Sequence, residues 1–168
     1  MEFKDLITAR KSIRSFTDAP LPDGALDFIL EAGRLANSAK NRQKWAFVVV
    51  ENSETKKTLV PACRNQAFVG ESAVVIAVCA TDEYYMSCDN PAHFIDASIA
   101  LDHMQLAVAD LGLGSCWLGA FNQDAVRDIL GIPKDIIVVG LLVIGVPADQ
   151  GRPKTRLPIE EIVHREKW

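Results

Sequence analysis

The chain has 168 residues and a mass of 18.4 kDa, which is the size of a single domain. With 49% apolar and 24% charged residues it has ample material for a hydrophobic core, and this composition excludes a disordered chain. The formal net charge of −4 argues against a general nucleic-acid binder. The longest apolar run, residues 136–146, is shorter than the ~20 residues that a membrane span requires.

The spacing of apolar residues in the first half of the chain predicts helices that alternate with strands. In chain order, the predicted elements are helix Phe3–Ala9, helix Ala25–Leu35, strand Trp45–Val50, helix Ser53–Cys63 and strand Ala73–Cys79. Ser53 is the expected cap of the third helix, and Lys56 is expected on its solvent-facing side.

The second half of the chain continues this alternation. The predicted elements are helix Phe94–Leu111, strand Ser115–Leu118, a helix capped by Asn122 that runs to Leu130, and strand Ile136–Val146. The long helix is apolar around most of its circumference, so we expect it to be buried on several sides. No repeat or linker divides the chain, and we therefore predict one α/β domain over residues 1–168, with a mixed central sheet flanked by helices.

Two short basic segments stand out from an otherwise acidic chain. The N-terminal basic segment (residues 10–14) reads RKSIR and the C-terminal basic segment (residues 152–156) reads RPKTR; together they carry six of the 18 basic side chains and no acid. Guanidinium groups, a hydroxyl and free backbone N–H groups suit a phosphate, and alternation in an extended segment places its cations on one side. We predict that both segments bind one compact anion; the alternative is that they are solvated surface charges.

Sequence motifs for a catalytic side chain or a metal site are absent. The G-x-G at residues 112–114 follows a helix, has Trp117 where a third glycine would fall, and is therefore not a dinucleotide fingerprint. The three histidines lack metal-ligand spacing, and we expect Asp96 and His103, two turns apart on one helix, to satisfy hydrogen bonds or an interface. The chain is then either a binding module or an enzyme whose chemistry resides in a cofactor.

The cysteines and the N-terminus indicate a compartment. The four cysteines are widely spaced and form no C-x-x-C pair, which is typical of reduced, structural thiols. Residues 1–5 lack the apolar stretch of a signal peptide. We therefore expect a cytoplasmic protein.

Four segments of the chain together resemble one known family. They are residues 9–16 (ARKSIRSF), residues 36–45 (ANSAKNRQKW), residues 111–119 (LGLGSCWLG), and the closing pair Lys154 and Arg156. In order and spacing they are similar to the nitroreductase family of FMN-dependent oxidoreductases, of which this chain would be a short member. The resemblance covers essentially the whole chain and implies a nitroreductase-like fold, FMN as cofactor, and a homodimer with exchanged C-terminal tails.

The resemblance also implies three sets of cofactor-binding residues. Those that would hold the FMN phosphate are Arg10, Lys11, Ser12, Arg14, Lys154 and Arg156. Those that would approach the flavin from the second subunit are Asn37, Ser38, Ala39 and Asn41. Those that would lie along the ring or reach its pyrimidine edge are Trp117, Leu118, Gly119 and Gln66, with Asn65 as the alternative to Gln66. The family commonly has proline at the position of Asn37.

The chemistry implied by the resemblance needs no catalytic side chain. NAD(P)H would give a hydride to the flavin and leave, and a small-molecule acceptor such as a nitroaromatic or a quinone would then enter the same cleft. Two alternatives remain open: a non-catalytic flavin-binding or flavin-storage protein, and a specialised branch that performs dehalogenation, flavin destruction or heterocycle dehydrogenation. The acceptor itself would depend on the loop at residues 84–90, whose shape the sequence does not give.

Overall fold

A computed structural model describes the whole chain, residues 1–168, around one four-stranded sheet. The strands are β1 (Trp45–Val50), β2 (Val74–Ala80), β3 (Gly114–Leu118) and β4 (Ile137–Gly145), in the order β1-β2-β4-β3. All three strand pairs are antiparallel. A mixed sheet was expected; the one parallel pairing beside these strands is a single bridge between Ser12 and Ser115.

Six α-helices surround the sheet. They are α1 (Phe3–Ala9), α2 (Ala25–Arg34), α3 (Ser53–Ala62), α4 (Phe68–Glu71), α5 (Ala92–Asp110) and α6 (Gln123–Leu130), with short 3-10 turns at Ala39–Asn41 and Ile159–Glu161. The five predicted helices are confirmed to within two residues at each end, whereas α4 was not predicted because four residues are too few to show a period. No helix has the length and apolarity to cross a bilayer.

The alternation of side chains along β2 divides the core into two layers. Val75 and Ala77 face one side of the sheet, which is covered by α3, α4 and α6, and Ile76 and Val78 face the other side, which is covered by α2 and α5. Every residue of β2 is buried, as expected for a central strand with helices on both faces. The predicted burial of the long helix is confirmed, since ten residues of α5 are buried.

The sequence analysis was wrong at the start of α3. The cap of this helix is Asn52, whose side chain accepts a hydrogen bond from Thr55 N at 3.0 Å, and not Ser53. Lys56 is buried instead of solvent-facing, because the chain at the start of β2 packs over it and its Nζ donates to the carbonyls of Ser72 (2.6 Å) and Ala73 (2.7 Å). The predicted cap of α6 is confirmed, as the side chain of Asn122 accepts from Ala125 N at 2.9 Å.

The chain before α2 runs along β3 and then past the end of β4. Ile13 N donates to Ser115 O at 2.8 Å, and Thr17 N donates to Val146 O at 2.9 Å. In return, Ala148 N donates to Ser15 O at 3.0 Å. These bonds hold the N-terminal basic segment beside the stretch that leads from β4 into the C-terminal tail.

Candidate functional site

The two basic segments meet around one cavity of about 230 Å³, which we call the cationic cavity. Nine residues line it, six of them are basic and none is acidic. The lining residues are Arg10, Lys11, Ser12, Arg14, Arg152, Pro153, Lys154, Thr155 and Arg156. The prediction that the two segments converge is therefore confirmed, although Arg10 and Lys154, for example, are 144 positions apart in the sequence.

A tight turn at Gly151 brings the C-terminal segment back over Ser12. Gly151 has a φ of +64°, and a Cβ at this position would lie 2.8 Å from Ile13 Cδ1 and 3.1 Å from Ser12 O, so only glycine fits without movement. Asp149 supports the turn, because its Oδ1 accepts a hydrogen bond from Gly151 N at 2.8 Å. The backbone thus sets the spacing between the two basic segments.

Lys154 fastens the C-terminal segment to the end of α1. Its Nζ donates to Ile7 O (2.6 Å), Thr8 O (3.2 Å) and Arg10 O (3.3 Å), where the helix leaves carbonyls without a partner. Desolvation lowers the pKa of Lys154, and the positive charges of Arg10 and Arg156 lower it further. The ammonium group therefore caps a helix and stands close to two guanidinium groups.

The cations of the cavity have no acidic partner in the protein. Five ion pairs form in the structure, and none of them includes a residue that lines the cavity. Arg156 donates only to its neighbour's carbonyl, Thr155 O, at 2.6 Å. Like charges held together without a counter-charge repel one another, and a bound anion removes this repulsion. The guanidinium groups and the Ser12 hydroxyl fit the phosphate of FMN.

Cys116, Trp117 and Leu118 lie on β3, the strand that Ile13 of the N-terminal basic segment contacts at Ser115, and their side chains pack against the core. Burial raises the pKa of the Cys116 thiol, and the charge and hydrogen bond of Arg14 offset part of this rise. The Trp117 indole packs on Gly140, where it leaves no room for a side chain, and Leu118 is buried in the core. Gly119 is exposed at the end of the strand. The groups of residues 117–119 that are free to contact a ligand are therefore mainly in the main chain.

Residues 37–44, which we call the rim loop, do not line the cationic cavity of their own chain. The loop has an unusual backbone, with positive φ angles at Lys40 (53°), Asn41 (53°) and Gln43 (52°). Non-glycine residues in this region are strained and cluster at functional sites. Ser38 closes the loop on itself, since its Oγ accepts a hydrogen bond from Gln43 N at 3.0 Å.

Two contacts attach the rim loop to the rest of the protein. Ala39 N donates to the carboxylate of Asp96 on α5, at 3.0 Å to Oδ1 and 3.1 Å to Oδ2. Arg42 forms an ion pair with Asp82, and its guanidinium carbon lies 4.3 Å from the centre of the Tyr84 ring. The second contact joins the rim loop to the loop that the sequence analysis associated with acceptor choice.

Gln66 and Asn65 lie in a second strained turn, after α3, and not in the cavity. Arg64 and Asn65 both have a φ of 57°. The Gln66 side chain donates to Cys63 O at 3.0 Å, while Asn65 is exposed. The structure therefore joins the predicted phosphate residues in one place and leaves the predicted ring residues in separate loops of the same chain.

Arg152 is the one basic lining residue to which the family resemblance assigned no role. The signal that identifies it is its charge, because it begins the C-terminal basic segment. The histidines take other places. His93 Nδ1 lies 3.0 Å from Tyr84 O and 3.2 Å from Tyr84 N, and His103 lines an apolar cavity beside α1.

Comparison with known proteins relates both the sequence and the fold to one group of enzymes. The model of the nitroreductase family matches residues 7–71 and 61–146. The chain is 32% identical to an NADH dehydrogenase of Thermus thermophilus, over 97% of this chain and 95% of the relative, and 32% identical to the FMN reductase [NAD(P)H] of Bacillus subtilis, over 96% and 72%.

A solved structure with a similar fold is the NADPH:FMN oxidoreductase of Vibrio harveyi in complex with NAD+. The TM-score is 0.90 at 26% identity, over 98% of this chain and 77% of that chain. The chain belongs to the nitroreductase family.

Proposed function

We propose that this protein is an FMN-dependent oxidoreductase that uses NAD(P)H to reduce small-molecule acceptors such as nitroaromatics and quinones. The observation that carries this function is the cationic cavity, in which six basic residues and no acid surround a space that suits a phosphate. The family relation adds the type of cofactor, since relatives are named FMN reductase and NADPH:FMN oxidoreductase. FMN, when bound, supplies the redox chemistry by accepting a hydride from NAD(P)H and passing electrons to the acceptor.

The protein's own residues bind and orient the cofactor. Arg10, Arg14 and Arg156 hold the phosphate through charge-assisted hydrogen bonds, and the Ser12 hydroxyl and the main chain at Lys11 add neutral donors. Lys154 holds the C-terminal segment in place through the end of α1. These residues would thereby anchor the flavin through its phosphate.

A second group of residues contacts the ring. The main chain of residues 117–119, at the end of β3, would donate N–H groups to the ring, where negative charge develops on reduction. Gln66 binds the pyrimidine edge from the turn after α3. Asn37, Ser38, Ala39 and Asn41 reach the ring from the rim loop of the second subunit.

The homodimer is part of this proposal, and exposed apolar side chains support it. Phe3 and Leu35 are 68% and 63% exposed, and they line an apolar cavity formed by α1, α2 and α5. In the C-terminal tail every residue from 152 to 168 is exposed, including Ile159 (71%) and Trp168. The chain exposes 9957 Å² in total, whereas a compact monomer of 18.4 kDa exposes roughly 8,200 Å². This excess fits a second copy that covers the helices and receives the tail, over an interface above ~2,000 Å².

Light scattering tests the dimer. The wild-type protein should have twice the chain mass at micromolar concentration. Phe28→Asp combined with Leu35→Asp should give the mass of one chain, because both side chains line the apolar cavity. Thr58→Asp combined with Ser87→Asp adds the same charge at exposed positions elsewhere and should leave the dimer intact. A wild-type monomer that binds FMN tightly would contradict the dimer and remove the rim loop from the site.

Rapid mixing tests the activity. Anaerobic protein loaded with FMN should lose its flavin absorbance when NADH or NADPH is added, and a nitroaromatic or a quinone should restore it. Steady-state rates at varied donor and acceptor should give parallel double-reciprocal lines. If neither nucleotide reduces the flavin while dithionite does, the protein is a flavin carrier or uses another electron donor.

A further inference from the structure

Asp96 is a buried carboxylate that has no cationic partner. Its side chain belongs to the second turn of α5, and the residue is only 6% exposed. None of the five ion pairs of the protein includes it. Burying a carboxylate without a cation or a hydrogen-bond donor is costly. The donor that reaches Asp96 therefore indicates the structural role of this side chain.

Both oxygens of Asp96 accept from one donor, the backbone N–H of Ala39. The distances are 3.0 Å to Oδ1 and 3.1 Å to Oδ2, and the two residues are 57 positions apart in the sequence. Ala39 is the first residue of the 3-10 turn at Ala39–Asn41, and the left-handed residues Lys40 and Asn41 follow it. A strained conformation persists only where the surrounding structure imposes it, and this hydrogen bond joins the turn to the core helix.

We propose that Asp96 is a positioning residue for the flavin site: its carboxylate fixes the N–H of Ala39 and so holds Asn37, Ser38 and Asn41 in the conformation that receives the cofactor bound by the second subunit. This inference rests on the proposed function. Asp96 acts through the loop backbone and does not itself contact the flavin. A charge-assisted bond from a helix to a strained turn restrains the turn more firmly than the neutral Ser38–Gln43 bond within the loop.

The test compares two replacements of Asp96 in the flavin-loaded protein. Asp96→Ala removes the acceptor and should raise the FMN dissociation constant about ten-fold or more. Asp96→Asn keeps an amide oxygen at the same place and should stay within about three-fold of the wild type. Asp102→Ala, an exposed acid on the same helix, removes the same charge and should change nothing.

A change of the donor provides the second arm. Ala39→Pro removes the N–H, and proline suits this position because Ser38 is extended (φ −140°, ψ 156°) and Ala39 begins a helical turn. Ala39→Pro alone should weaken FMN binding about as much as Asp96→Ala. In the Asp96→Ala background it should have no further effect, since the bond is already lost.

Amide hydrogen exchange in the flavin-free protein gives a readout independent of activity. The Ala39 amide should exchange at least about ten times faster in Asp96→Ala than in the wild type, and protection should return in Asp96→Asn. If the wild type binds FMN and Asp96→Ala binds it equally well, this inference fails while the proposed function stands. A wild type that does not bind FMN would overturn the proposed function as well. Additive effects of Asp96→Ala and Ala39→Pro would show that Asp96 does not act through this N–H.

Discussion

The cationic cavity and a larger cavity beside α3 differ in size and in how their charges are compensated. The larger cavity has a volume of about 540 Å³, against about 230 Å³ for the cationic one. Its lining includes the single cation Lys56 among several acids: Asp18, Asp23, Asp27, Glu51 and Glu71. The Lys56 ammonium already donates to Ser72 O and Ala73 O, and it also interacts with the charge of Glu51.

From this difference we infer the anion site from cations that lack an acidic neighbour, and not from the volume of the cavity. In the larger cavity the protein satisfies its own cation, so Lys56 serves the fold. In the cationic cavity six basic side chains share the space, no acid lines it, and none of the six forms an ion pair. The predictions below test whether the two sets of cations really serve these separate purposes.

The largest expected effect is the loss of FMN from a cavity deprived of two cations. Arg10→Ala combined with Arg156→Ala removes two charge-assisted hydrogen bonds worth roughly 1.5–3 kcal/mol each, so FMN affinity should fall at least about 100-fold. Flavin fluorescence on titration with FMN measures this change.

The matched control removes two cations that do not line the cavity. Lys4→Ala combined with Arg165→Ala changes the net charge equally, and both residues are exposed. Its FMN affinity should stay within about three-fold of the wild type at 0.15 M salt, where distant charges are screened. An equal loss in both double variants would mean that overall charge, and not the cavity, attracts the cofactor.

A large effect on stability, without an effect on FMN, is expected for Lys56→Met. The substitution leaves the carbonyls of Ser72 and Ala73 without their donor, and the free energy of unfolding should fall by about 2–4 kcal/mol. Lys57→Met, on the exposed side of the same helix, loses only a surface ion pair with Glu54 and should cost about 0.5 kcal/mol. Urea unfolding measures both changes in stability. A loss of FMN affinity in Lys56→Met would contradict the assignment of Lys56 to the fold alone.

The pH dependence of stability sharpens the same test. Burial lowers the pKa of Lys56 from 10.5, and the nearby charge of Glu51 offsets part of the effect. Between the lowered pKa and 10.5 the unfolded chain therefore binds the proton more tightly than the folded protein. In that window Lys56 makes the free energy of unfolding rise with pH, and Lys56→Met should lack this contribution.

The two sets of cations also differ in how well the sequence predicts them. The residues of the cationic cavity fall in two windows of five residues. Charge together with a hydroxyl in the first window and alternating spacing in the second could therefore predict that they converge. Lys56 was predicted on the solvent side because its burial depends on the packing of α4 and the start of β2. The four-residue helix α4 carries no periodic signal, and this part of the packing could not be predicted.

The conformation of the rim loop is a second feature that the sequence alone does not predict. Its residues could be assigned to the site through the family resemblance, and its polar, irregular character is visible in the sequence. Its conformation depends on Asp96, which lies 57 positions away on a helix that the sequence predicts as a buried element. Long-range hydrogen bonds of this kind follow from tertiary packing and have no local pattern.

A smaller effect is expected when the spacing of the two basic segments is disturbed. Gly151→Ala adds a Cβ at a positive φ, 2.8 Å from Ile13 Cδ1 and 3.1 Å from Ser12 O. The Ile13 side chain must turn away and the backbone at Ser12 must move by a few tenths of an ångström, so FMN affinity should fall about three- to ten-fold. Gly131→Ala is the matched control, since it introduces the same strain at φ +65° with no atom within 4 Å. Both variants should lose about 1 kcal/mol of stability, but FMN binding should weaken in Gly151→Ala alone.

The smallest effect is expected at Cys116, which lies behind the cationic cavity beside Arg14. Burial raises the pKa of this thiol, and although Arg14 counteracts part of the rise, we expect the neutral, unreactive form at pH 7. Cys116→Ser should therefore keep FMN affinity and turnover within about three-fold of the wild type. A thiol reagent at neutral pH should modify Cys88 alone, because the other three cysteines are buried. Loss of FMN in Cys116→Ser as large as in the double arginine variant would mean that the cavity depends on the packing behind it more than on its own cations.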